Sequence, residues 1–172
     1  MATEMKPLNR LVPAHAINRY LWSRIEAHAI LDKVNYSGLT PIVPVEEIPE
    51  LLQIIDARPG VQSYPFIVYS WSRIDNGQAW WMKTHNIAYS IRSTDDEAMA
   101  RLINLFEAEF EDQDIAARRV NEYIFGLPPT TLQRFRFTSI GVRVLGAQMP
   151  AGTDTGANEA LVTIAASYVE NT

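Results

Sequence analysis

The sequence predicts one α+β domain, in which a mainly antiparallel sheet of about four strands, arranged as two hairpins, packs against two or three helices. Three observations predict this fold. Apolar residues recur at helical spacing in three segments, aromatic and β-branched residues concentrate in two strand pairs, and 172 residues suit a single domain. The chain is 47% hydrophobic and 20% charged, a composition that excludes a disordered or fibrous protein.

Residues 13–33 are expected to form the first helix. Pro13 suits a first helical turn, and Ile17, Leu21 and Ile25 follow at four-residue steps to give an apolar stripe. The proline-rich segment 35–60 is expected to be irregular and extended, apart from one or two helical turns near its end. The α+β core is expected to follow, over residues 61–172.

The first hairpin is predicted around Asn76-Gly77. This dipeptide favours a two-residue type I′ turn, and runs of aromatic and β-branched residues flank it on both sides. A turn at this position would place Arg73 opposite Trp80 and Trp71 opposite Met82. An Arg73–Trp80 pair could form a cation–π contact that stiffens the hairpin.

The same register predicts which side chains of the hairpin face the core. The expected core face carries Phe66, Val68, Ile87, Tyr89 and Ile91. Nearer the turn, Trp71 and Trp80 are expected on one face and Trp81 on the other. Large apolar rings would then be exposed on both faces of the hairpin end, and exposed apolar patches mark contact sites.

Two further helices are predicted after the hairpin. Thr94 and Glu97 have the spacing of a capping box, and Asp112 is expected to end the second helix and cap the third. The buried stripe of the second helix is expected to consist of Met99, Leu102, Ile103, Phe106 and Phe110. That of the third is expected to consist of Ala116, Ala117, Val120 and Ile124. Gly126 and the prolines after it close the third helix.

The last two strands are predicted at residues 131–148 and 159–169, where β-branched and aromatic residues are frequent. The linker between them, residues 149–158, consists mainly of small and polar residues and is longer than an ordinary hairpin turn. We expect it to be mobile in the free protein.

Composition and motifs exclude several functions. A net charge of −5 and no cysteine argue against bulk DNA binding, disulfides and cysteine-based catalysis or metal binding. The sequence has no phosphate-binding loop, dinucleotide-binding motif, nucleophile elbow or zinc-protease motif. Neither a signal peptide nor an apolar run that could span a membrane is recognised, so we expect a soluble protein of a reducing cytosol, without cofactor, metal or membrane partner.

The remaining titratable residues favour structural roles. His15, His28 and His85 lie on separate elements, without the spacing of a metal site, and are expected to be hydrogen-bonded structural histidines. Glu107 and Glu111 are four residues apart, which could seat a metal or an acid–base pair. No second half of such a site exists, so a solvated acidic face is the favoured interpretation; its members are Glu107, Glu109, Glu111 and Asp112.

Arg134 and Arg136 are predicted on one side of a strand. They could bind phosphates, which would make the protein a nucleic-acid adaptor with strongly salt-dependent affinity. At this net charge, an exposed strand face or a salt bridge to a neighbouring subunit is favoured instead.

The order of elements resembles that of the tail terminator, or tail completion, proteins of long-tailed bacteriophages. The resemblance covers residues 60–170 and rests on the strand pair PFIVYSW…NIAYSI and the helical segments STDDEAMARLINLFEAEF and DIAARRVNEYI. It implies an α+β subunit of a ring, usually a hexamer, that sits on the last ring of the tail tube and stops its polymerisation. Such a ring offers its other surface to the connector of the head.

The resemblance implies partners and contact residues rather than catalytic ones. The implied partners are further copies of the chain, the tail tube protein, the sheath protein and head-completion or connector proteins, with DNA only as passing cargo. The location would be the tail or neck of a virion assembled in the bacterial cytoplasm. Candidate subunit or tube contacts are Trp71, Arg73, Asn76, Gly77, Trp80, Trp81, Arg134, Arg136, Gly152 and Asp154. The acidic residues Glu107, Glu109, Glu111 and Asp112 are candidates for a lumen wall that repels DNA.

Two alternatives stay open at this point. Head-completion and sheath-stabilising proteins of the phage neck have similar lengths. A small enzyme or ligand-binding domain would instead need a pocket between sheet and helices, with His85, Tyr89 and Arg92 near its mouth. The mass in solution separates these classes, because a ring former is expected at a multiple of 19.4 kDa.

Overall fold

The computed structural model describes residues 12–28, 42–44, 66–75, 81–93, 95–126, 135–150 and 158–170. These residues form three helices and five strands. In chain order the elements are α1 (Pro13–Ala27), β1 (Ile42–Pro44), β2 (Phe66–Asp75), β3 (Met82–Ser93), α2 (Asp96–Phe110), α3 (Gln113–Phe125), β4 (Phe135–Pro150) and β5 (Asn158–Glu170).

The strands form one sheet in the order β1-β2-β3-β5-β4. The four long strands are antiparallel to their neighbours, and the three-residue β1 adds a short parallel pairing beside β2. Pairing of β3 with β5 joins the two predicted hairpins into a single sheet. The predicted α+β fold is thereby confirmed.

All three helices pack on one face of this sheet. Side chains alternate along β3 and β5, so that Ile87, Tyr89 and Val162 point into the core while Ala88 and Ala165 on the other face are exposed. The helix α2 contacts β3, β4 and β5, whereas α1 packs mainly on the other two helices. The core therefore lies between the sheet and a layer of helices.

The register of the first hairpin differs from the prediction. Arg73 lies opposite His85, not Trp80, and Trp71 lies opposite Ile87, not Met82. The last pair, Asp75 with Lys83, leaves a connection much longer than a two-residue turn.

The observed register is shifted from the predicted one by an odd number of residues. Such a shift exchanges the two faces of β2 relative to β3. Ile67 and Tyr69 are buried beside Ile91 and Tyr89, where Phe66 and Val68 were expected. Burying these side chains outweighs the local turn preference of an Asn-Gly pair. The core face predicted for β3 is confirmed, and the one predicted for β2 is wrong.

The second and third helices follow their predicted stripes. Met99, Leu102, Phe106 and Phe110 are buried, and Ile103 packs against the core as a partly buried residue. The N-cap of α2 is Asp95 instead of the predicted Thr94, and its carboxylate accepts hydrogen bonds from the backbone N–H groups of Glu97 and Ala98. Asp112 caps α3 in the same way, as predicted. The predicted stripe of α3 is also buried.

The edge strand β4 is irregular. Its pairing with β5 shifts register between Phe137 and Ser139, between Val144 and Gly146, and between Gly146 and Met149. At the first shift, the buried amide of Asn121 donates to the carbonyl of Phe137 at 2.9 Å and accepts from its N–H at 3.0 Å. One side chain thus satisfies both backbone polar groups of Phe137.

Several predictions fall wholly or partly outside the described residues. These include the end of the first helix beyond residue 28, the helical turns near residues 50–55 and most of the irregular segment. Within that segment, Ile42–Pro44 is a strand. The predicted linker is shortened at both ends, because Met149, Pro150 and Asn158 belong to strands, and residues 151–157 are not described.

Candidate functional site

The end of the β2–β3 hairpin carries large apolar side chains in contact with solvent. Trp71 is 43% exposed, Ile74 53% and Trp81 51%. Trp71 and Ile74 are three residues apart on one strand and therefore project from opposite faces of the sheet. Exposed apolar side chains at this end were predicted from the sequence. We call Trp71, Arg73, Ile74 and Trp81 the hairpin end.

Trp71 is held in place by a buried histidine. Its ring stacks on His85, with centroids 4.6 Å apart and planes inclined by 17°. His85 is 2% exposed, and its Nε2 lies 3.0 Å from the hydroxyl of Tyr168. Burial lowers the pKa of His85 to about 4, an effect to which the nearby Arg73 adds. The imidazole is thus neutral at physiological pH and serves as a flat support for the indole.

The Trp71–His85 stack was not predicted. The register expected from Asn76-Gly77 put these two residues out of contact, and the observed one places them on the same face of the hairpin. The Nδ1 atom of His85 is buried, without a hydrogen-bond partner among the described residues. The predicted structural role of His85 agrees with its contacts to Trp71 and Tyr168.

The acidic cluster divides into exposed and buried members. Glu107, Glu111 and Asp112 are exposed, and Asp112 is also the N-cap of α3. Glu109 is only 6% exposed, so its predicted place on the solvated acidic face, and with it a position on a lumen wall, is wrong. The residue lies three positions after Phe106, within the stripe of α2 that faces the core, and this spacing could have revealed its burial.

Glu109 joins the helices through a network of polar contacts. It accepts hydrogen bonds from the Tyr20 hydroxyl and from Nε of Arg24, the latter at 2.8 Å, and Arg119 lies 4.0 Å away. Burial alone would raise the pKa of Glu109, but the hydrogen bonds from Tyr20 and Arg24 and the charges of Arg24 and Arg119 lower it below its ordinary value. The carboxylate therefore stays ionised and ties α1 to α2.

The other predicted contact residues are only partly within the described chain. Arg73 and Arg136 are exposed on their strands. The side chains outside the described residues are Asn76, Gly77, Trp80, Arg134, Gly152 and Asp154. The predicted Arg73–Trp80 pairing does not occur in the observed register, and the expectation that Arg134 and Arg136 share one side of a strand lies outside the described residues.

The three residues considered for an enzyme pocket do not converge. Tyr89 is 1% exposed and donates a hydrogen bond from its hydroxyl to Oδ1 of Asn18 at 2.6 Å. Arg92 lies on the opposite face of β3, 3.8 Å from Glu159. His85, Tyr89 and Arg92 therefore line no common site.

A cavity of about 580 Å³ lies elsewhere, between the C-terminal half of α2 and the middle of β4. Its lining includes Glu107, Ala108, Glu111 and Val142. In the described part of the chain, no group of three or more histidine, aspartate or glutamate side chains could hold a metal ion. Among the same residues, no helix is long and apolar enough to cross a membrane.

Comparison with protein-family models gives no match, and no curated protein matches the chain significantly.

Proposed function

We propose that this chain is a structural virion protein, a ring-forming tail terminator that caps the tail tube, ends its polymerisation and joins the tail to the head connector. The observation that carries the proposal is the hairpin end, where Trp71, Ile74 and Trp81 are each about half exposed. The order of elements that resembles the tail terminators supports it, since the strands β2 to β5 and the helices α2 and α3 belong to the segment that carries the resemblance.

The hairpin end supports an assembly function for an energetic reason. Apolar surface left in water forfeits about 25 cal/mol for each Å² that could be buried. Trp71 also has a fixed position, since it stacks on a buried imidazole. A rigid aromatic side chain loses little conformational freedom on binding, which favours its use at an interface.

A ring places a further demand on each subunit. Each copy must carry two different patches that meet head to tail and close after a fixed number of copies, six in the usual terminator ring. The hairpin end is proposed as one patch of the pair. Contacts along the tail axis, with tube, sheath or connector proteins, are assigned to the linker with Gly152 and Asp154 and to Asn76 and Gly77.

The exposed acidic residues fit the passage of DNA through such a ring. Glu107, Glu111 and Asp112 would present negative charge to the lumen and keep the phosphate backbone from adhering. Glu109 has no part in this surface, because it is buried against Tyr20 and Arg24.

The proposal is tested by deleting the gene for this chain from the phage genome that would encode it. Deletion of the gene is expected to give tail tubes of uncontrolled length that fail to join heads, visible by electron microscopy. Restoring the intact gene in trans is the control and should restore tails of uniform length. Normal tails joined to heads in the deletion strain would refute the proposal.

A further inference from the structure

The cavity between α2 and β4 combines apolar and acidic lining. Ala108, Phe110 and Val142 supply its apolar part, and Glu107 and Glu111 supply carboxylates. Its volume of about 580 Å³ is enough to hold several side chains of another protein. We call this cavity the α2–β4 groove.

The groove has a local excess of negative charge. Glu107 lies on the last turn of α2 and Glu111, four residues on, is its C-cap; both are exposed. Neither forms an ion pair with another described residue. A partner that brings one positive charge together with apolar side chains would therefore complement the groove.

The hairpin end has this combination. Trp71 and Ile74 provide apolar surface on the two faces of β2, and the exposed Arg73 lies between them in the sequence. Trp81 adds a second exposed indole next to the first residue of β3. Trp and Arg are the residue types that contribute most to binding energy at protein interfaces.

The two surfaces lie towards opposite edges of the sheet. The hairpin end belongs to β2, whereas the groove lies beside β4, and the order β1-β2-β3-β5-β4 places β3 and β5 between them. Neighbouring strands are about 4.8 Å apart, so the two strands are separated by about 14 Å across the sheet. A contact between them on different copies is head to tail, and the resulting pair keeps one free groove and one free hairpin end to which further copies can bind.

We infer that the α2–β4 groove binds the hairpin end of a second copy of this chain, with Trp71 and Ile74 against the apolar lining and Arg73 beside Glu107 and Glu111. The inference rests on the proposed function, because it names the pair of surfaces that would close the ring. It revises one assignment made above: Glu107 and Glu111 lie at the subunit contact, and of the exposed acidic residues only Asp112 keeps the proposed place on the lumen wall.

The absence of native cysteine permits a direct test of the contact. Two variants, Ile74→Cys and Ala108→Cys, each carry a single thiol at an exposed position. With a short bis-maleimide, the mixture of the two variants is expected to give cross-linked dimers, while each variant alone gives none. A chain with both substitutions is expected to give a ladder of cross-linked products that ends at the number of subunits in the ring.

Other cross-linking results would overturn the inference. Dimers from Ile74→Cys alone would show that two hairpin ends pack on each other. Rings detected by mass photometry without any link between positions 74 and 108 would mean that the ring uses other surfaces, and the proposed function would stand. A chain that neither associates nor cross-links overturns the contact, and the gene deletion then decides the proposed function separately.

Charge reversal tests the polar part of the contact. Arg73→Glu and the double variant Glu107→Lys with Glu111→Lys are each expected to weaken self-association by about tenfold or more, because like charges would then meet. Combining the three substitutions in one chain should restore association. Arg118→Glu and Glu122→Lys change charge at exposed positions of α3 and serve as matched controls that leave association unchanged. Failure of the combined variant to recover would contradict the proposed pairing of charges.

Discussion

The two halves of the β2–β3 hairpin differ both in composition and in surroundings. In the half that the helices cover, Ile67 pairs with Ile91 and Tyr69 with Tyr89, and all four are buried. In the other half, Trp71 is 43% exposed although Ile87 opposite is fully buried. The covered half is rich in aromatic and β-branched residues, whereas Trp71 in the other half stands among polar and charged residues such as Arg73 and Lys83.

The comparison separates side chains that the fold needs from those it does not. Residues of the covered half fill the space between sheet and helices, and their removal would leave cavities. At the hairpin end, Trp71 covers His85 with one side of its ring, and Ile74 and Trp81 are exposed. Apolar side chains that the folded state does not require are the ones expected to act in binding.

The largest expected effect is a core truncation in the covered half. Ile91 is fully buried and faces the helices, so Ile91→Ala should lower the free energy of unfolding by about 2–5 kcal/mol. Chemical denaturation monitored by circular dichroism measures this. A loss below about 0.5 kcal/mol, the range of ordinary surface substitutions, would contradict the assignment of this half to the core.

Acid should destabilise the fold through His85, where the two halves meet. The pKa of His85 is about 4 in the folded protein and has an ordinary value of 6.5, so the unfolded state binds more protons between these values. Stability should fall as pH decreases through this window, by up to about 1.4 kcal/mol per pH unit.

The variant His85→Gln isolates this contribution. His15, whose pKa is also lowered by burial and by Arg19, is present in the wild type and the variant alike. Arg73 and Glu170, whose charges act on position 85, are likewise unchanged. Denaturation at several pH values should therefore show a smaller slope in the variant. Equal slopes would mean that His85 is already charged when folded.

The acidic residues of α2 provide a similar contrast between covered and uncovered positions. Glu109→Gln should cost about 1–3 kcal/mol of unfolding free energy, since it weakens buried hydrogen bonds from Tyr20 and Arg24. Glu111→Gln, two positions further on and exposed, is the matched control and should change stability by less than about 0.5 kcal/mol. Thermal unfolding of the two variants side by side measures the difference, and equal losses would argue against a special role for Glu109.

The smallest effect on stability is expected at the hairpin end. Ile74→Ser should change the free energy of unfolding by less than about 0.5 kcal/mol but weaken the proposed self-association. Leu145→Ser removes an equally exposed apolar side chain from β4 and should leave association intact. Analytical ultracentrifugation of both variants tests this, and equal behaviour of the two would refute a special function of the hairpin end.

Local signals predicted the elements of this fold well. The stripe from Met99 to Phe110 and the cap at Asp112 depend on residues that are close together in the sequence. The local sequence pattern was therefore enough to predict them. The observed N-cap of α2 lies one residue after the predicted one, since both threonine and aspartate are able to cap a helix.

Features that depend on distant residues were not predicted. The register of the hairpin is set by packing of Ile67 and Tyr69 under the helices, and a local turn signal carries no information about that packing. The burial of Glu109 similarly depends on Tyr20 and Arg24, which lie far away in the sequence. The same holds for the candidate site: exposure of Trp71 and Trp81 was predicted, but Ile74 and the histidine beneath Trp71 were not.

The irregular pairing of β4 with β5 affects how copies of this chain could associate. A 16-residue strand at the margin of a sheet would ordinarily invite backbone pairing from neighbouring chains and lead to fibrous aggregates. Three interruptions in its pairing, the first clamped by Asn121, break up that template. The proposed association between copies would thus depend on side-chain shape and charge, which allow a limited number of contacts, and not on a backbone ladder that can be extended without limit.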